Sequence, residues 1–122
     1  MSDNENPSPE QMKNSLIDIA IESWRFSRIF VRLLEKLDAG ESSRYINQHR
    51  FYLKRLDENL KQAGLRLVNV EGHVYDAGMA ATALNAEDFS PDDRLLVDHM
   101  VEPIIMGDEG LIKTGTVMLK RG

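Results

Sequence analysis

Cysteine is absent from the 122 residues of this chain. That excludes disulfides, thiolate zinc sites and a thiol nucleophile, and fits a reducing compartment. Long apolar runs are missing too: none approaches the ~18 residues that a membrane span requires. The first residues, Met1-Ser2-Asp3-Asn4-Glu5-Asn6-Pro7, are acidic and polar, the reverse of a secretory leader. They read as a short disordered arm, residues 1–7, on a cytoplasmic protein that does not meet the membrane. Also lacking are a Gly-rich phosphate loop, a nucleophile elbow and a paired-histidine metal motif. The expectation is a protein that is not an enzyme and carries no cofactor and no metal.

Charge of one sign is scarce in the second half. Residues 64–122 hold five Lys/Arg against ten Asp/Glu, while residues 1–63 hold ten of each. The formal charge of −5 therefore sits entirely on the second half. Phosphate backbones would be repelled there, so nucleic acid is not an expected partner. A protein with a basic surface suits that face better.

What is present begins with helices. Ser8, Pro9 and Gln11 form a capping-box signature, and nothing breaks a helix from there to Asp38, with Gly40 as its stop. Met12, Leu16, Ile19, Ser23, Phe26, Phe30, Leu33 and Leu37 alternate steps of four and three, a heptad seam with one polar lapse. A second stripe runs beside it through Ile17, Ile21, Trp24, Val31 and Leu34. A second helix is expected from Ser42 or Ser43 to Gly64, with Ile46, His49, Leu53, Leu56, Leu60 and Ala63 on its seam. The short link makes the pair antiparallel. A lone hairpin leaves the second stripe wet, so Ile17, Ile21, Trp24, Val31 and Leu34 are the expected homodimer interface of a four-helix bundle. The chain's own second half is the alternative cover.

After Gly64 the hydrophobic period drops from about 3.6 to about 2. Leu65–Val70, His73–Asp76, Met79–Leu84, Arg94–Val101 and Leu111–Leu119 read as strands, and Glu102-Pro103 as an edge or bend. The fold class expected is α+β: a helical hairpin, 8–64, then a small, mostly antiparallel β domain, 65–122. His49, His73 and His99 are scattered. Adjacent strand residues face opposite ways, which argues against Asp98 and His99 sharing an ion. The acidic residues Glu87, Asp88, Asp92, Asp93, Asp98 and Glu102 read as a solvated loop and edge before they read as acid–base machinery.

The order of these elements resembles the GrpE family, the nucleotide exchange factors of DnaK-class chaperone ATPases. The residues that carry the likeness are Lys61-Gln62-Ala63-Gly64-Leu65-Arg66 at the helix exit, Tyr75-Asp76-Ala77-Gly78-Met79, Ser90-Pro91-Asp92-Asp93-Arg94, and Ile112-Lys113-Thr114-Gly115-Thr116-Val117. Lys113 stands where the family has arginine, Ala77 where it has proline, and the family's long stalk helix has no counterpart. The resemblance implies a homodimeric exchange factor or co-chaperone that binds the open, nucleotide-free form of a DnaK-like, actin-fold ATPase. The partner contacts it suggests are Met79, Asp92, Asp93, Val101, Glu102 and Lys113. A GrpE-shaped scaffold subunit without exchange activity is the rival reading, and an enzyme or metal-binding protein a third.

Overall fold

The structure, a computed structural model, describes residues 6–122; the rest of the expected N-terminal arm, residues 1–5, lies outside the described residues. Helix α1 spans Pro9–Leu34. Its capping box is closed: the Ser8 hydroxyl accepts from the Gln11 N–H at 3.1 Å, and the Gln11 side chain accepts from the Ser8 N–H at 2.8 Å. Helix α2 spans Ala39–Lys61 and begins earlier than Ser42 because the Asp38 carboxylate accepts from the Glu41 N–H at 2.9 Å. Gly40 therefore lies within the first turn of α2 and does not stop α1. Gly64 does end the hairpin, with φ +75°, a left-handed turn that any side chain would strain.

Six strands follow: β1 Leu65–Val68, β2 Ala81–Ala83, β3 Leu95–Glu102, β4 Ile104–Gly107, β5 Gly110–Lys113 and β6 Gly115–Arg121. They form two three-stranded sheets, ordered β1-β4-β5 and β2-β6-β3. Only the β2–β6 ladder is parallel. The architecture is α+β, a helical hairpin with a small, mostly antiparallel β module.

Two expectations for the strands change. Leu111–Leu119 is not one strand, because the chain switches sheets at Thr114. A methyl group at the buried Gly115 would sit 2.8 Å from Ile104 Cγ1 and 3.0 Å from the Glu102 carbonyl, so only glycine fits this crossing. The other crossing lies alongside, at the buried Pro103 between β3 and β4. His73–Asp76 does not return onto β1. It lies along β3 instead, held by Gly72 N–H to Val97 O at 2.8 Å and Tyr75 N–H to Leu95 O at 2.8 Å.

The core corrects the expected dimer interface. Trp24 is 4% exposed and packs with Ala81, Val97, Met100, Ile104, Val117 and Leu119, all of the β module. Its indole N–H donates to the Met100 carbonyl at 2.9 Å. Ile17 and Ile21 pack with Leu60, Leu65 and Ile105. Leu34 is buried and Val31 half-buried. Ile17, Ile21, Trp24 and Leu34 are thus covered by the chain itself and leave nothing for a second copy. The physical reason is that both seams of α1 are apolar, and the sheet takes the one with the largest side chain. Burying Trp24 and each of the large aliphatics contributes about 1.5–3 kcal/mol.

Candidate partner-docking surface

Glu71 and Glu102 fasten α1 to the β module. Arg28 pairs with Glu71 at 3.1 Å, and Glu71 also accepts from the Met100 N–H at 2.8 Å. Arg25 pairs with Glu102, whose other oxygen lies 3.4 Å from the Thr116 hydroxyl. Glu102, expected to meet a partner, is therefore engaged within its own chain.

The six expected contact residues fall into two groups. Met79, Val101, Glu102 and Lys113 gather where β6 begins. The Gly115 N–H donates to the Ala80 carbonyl at 2.9 Å, which brings the Met79–Ala80 turn beside the Lys113–Gly115 crossing. Glu102 is opposite Thr116 in register, and Val101 is the extra residue of a bulge between Met100 and Glu102. Lys113 is exposed, Met79 and Val101 are half-buried, and Met79 rests against the main core.

Asp92 and Asp93 lie at the opposite end of β6. That strand runs seven residues, Gly115 to Arg121, so the two groups are about 20 Å apart. Asp93 is spoken for: its carboxylate accepts from the Ser90 N–H at 2.9 Å and meets Arg121 Nε at 3.3 Å. The Asn85 side chain clips the same loop to β6, accepting from Leu119 N–H at 2.8 Å and donating to Leu119 O at 3.0 Å. Asp92, Glu87 and Asp88 stay exposed.

Asp98 and His99 touch because a bulge interrupts strand alternation here. Asp98 is the extra residue of a second bulge, and its carboxylate reaches His99 Nδ1 at 3.1 Å and Lys120 at 3.6 Å. Among the described residues, no three His, Asp or Glu side chains gather in a way that could hold a metal ion. No described helix is long and apolar enough to cross a membrane.

The sequence reading overlooked the apolar residues that the fold leaves outside. On the β module these are Val74, Leu84, Leu111 and Ile112. On α1 the outward line includes Ile19 at 60% exposure, Phe26 at 66% and Leu33 at 57%. Those three belong to the heptad seam. Between the helices Phe30 stacks on His49, centroids 6.0 Å apart, and meets Tyr45 edge-on. His49 has a lowered pKa, through burial first and the Arg28 charge second, and its buried Nε2 has no partner.

Compared with family models, curated proteins and solved structures, the chain matches none of them.

Proposed function

We propose that the chain is a GrpE-like exchange factor or co-chaperone. It acts as a homodimer and offers its β module to a DnaK-like, actin-fold ATPase. The carrying observation is the exposed Lys113 cation at the sheet-switching corner, beside the Met79–Ala80 turn, on a module welded to a helical hairpin. A module of this kind performs no chemistry. Binding the open, nucleotide-free ATPase more tightly than the closed one shifts the population and speeds nucleotide release. The accessible contacts in this reading are Met79 and Lys113 at the corner, with Asp92 on the far loop.

The test is release of a fluorescent ADP from the ATPase that co-purifies with the chain. Wild type should accelerate release, and Lys113→Glu should weaken that by about tenfold, the factor that about 1.4 kcal/mol of lost contact energy produces. The second reading, a scaffold subunit without exchange activity, is favoured by the internal use of Glu102 and Asp93. Stable binding with no acceleration would select it.

A further inference from the structure

The β module leaves one seam of α1 uncovered, and within that seam Phe30 also rests on His49 of α2. The seam's positions, Met12, Leu16, Ile19, Ser23, Phe26, Phe30 and Leu33 on α1 and Leu37 in the turn after it, read the same from either end. Steps of four and three alternate symmetrically about the point between Ser23 and Phe26. A helix with that spacing can meet a parallel or an antiparallel copy knob to hole; in the antiparallel pair the two-fold axis passes through that point.

Charge distinguishes the two and favours the antiparallel pair. The first half of α1 carries Glu10, Asp18 and Glu22 against Lys13, a net −2. The second half, to Leu37, carries Arg32 and Lys36 against Glu35, a net +1 once Arg25 and Arg28 are counted with their β-module partners Glu102 and Glu71. An antiparallel pair sets acidic half on basic half and opposes the helix dipoles, whereas a parallel pair sets like on like. The area suffices as well. Met12, Leu16, Ile19, Phe26, Ile29 and Leu33 are each between 39% and 66% exposed. Half-exposed side chains of this size offer on the order of 100 Å² each, about 600 Å² per copy, so the roughly 1,200 Å² of both copies reaches the lower end of a specific interface.

We propose that two copies pair α1 against α1, antiparallel. Met12 packs on Leu37 of the second copy, Leu16 on Leu33, Ile19 on Phe30, and Ser23 on Phe26. The inference rests on the homodimer in the reading above and uses nothing of its exchange chemistry.

The absence of native cysteine makes the register testable on the full chain. Leu16→Cys and Leu33→Cys single variants, mixed and treated with a short bis-maleimide, should cross-link to each other. Leu16→Cys alone should not, because its two copies lie about 25 Å apart along the pair. Sedimentation should show a dimer for wild type and at least a tenfold weaker one for Phe26→Glu, with the far-UV spectrum unchanged because Phe26 is exposed. Cross-linking of Leu16→Cys to itself would mean a parallel pair and overturn the proposal. A wild-type monomer at tens of micromolar, or a dimer without the mixed link, would overturn it too. ADP release without that link leaves the exchange reading standing, and the link without ADP release sinks the exchange reading alone.

Discussion

Trp24 is the only tryptophan in the chain and joins the two halves through one indole. Trp24→Phe removes the donor to Met100 and leaves that carbonyl unpaired in the core. A loss of about 1–3 kcal/mol is expected, read as a lower urea midpoint at unchanged slope. Gly115→Ala attacks a different point. The Glu102 carbonyl cannot retreat as a flexible side chain could, so the extra methyl should cost about 1–3 kcal/mol in the same titration. His49 gives a pH dependence. Its folded pKa lies below the ordinary 6.5, so the native state favours the neutral ring. The stability this contributes is present above pH 6.5 and is lost as pH falls through the folded pKa. Thermal melts at pH 7.5 and 5.5 should show a larger drop for wild type than for His49→Gln; equal drops would remove the histidine as the cause.

At the scale of elements, the helices were legible because their signals are local. Ser8 and Gln11 cap within one turn, and apolar positions three and four apart state which residues share a face. The boundary between the helices was misplaced by three or four residues because Asp38 serves as a cap where Gly40 looked like a stop. The β module was legible in class and not in connectivity. Nothing in Ile112–Val117 announces that Thr114 leaves one sheet for the other, since the constraint on Gly115 comes from Ile104 and Glu102 across the fold. Likewise the two bulges of β3, at Asp98 and Val101, depend on the register with β6. Of the candidate contacts, Asp92 was legible as part of a solvated loop, and Lys113 is exposed as well. The sequence could not foresee that Arg25 and Arg121 would claim Glu102 and Asp93. Replacing Ser8 with Ala tests the best-read element. The loss should be about 1 kcal/mol in chemical denaturation, with no change at the Trp24 core.

For the whole molecule, the boundary drawn at Gly64 from hydrophobic period is no boundary in packing. One core contains Trp24 of α1 and six residues of the β module, and a second joins Ile17 and Ile21 to Leu65 and Ile105. Helix content and tryptophan emission should therefore be lost in one coincident transition. A fragment of residues 65–122 alone should show no amide protection in hydrogen exchange. Two separate transitions would mean that the halves fold independently. The sequence had both stripes of α1 in plain sight. It could not rank them, because which one wins depends on the shape of a sheet assembled from strands about 40 to 100 residues further along.

The Trp24 lock and the two arginine bridges from α1 to the β module carry one more consequence. Rod and head turn as one piece, so a pull on the corner at Lys113 passes through β6 and β3 into the helix without a joint to absorb it. In any paired assembly, the spacing between the two heads then becomes a fixed ruler, its length decided by where along the rods the copies cross.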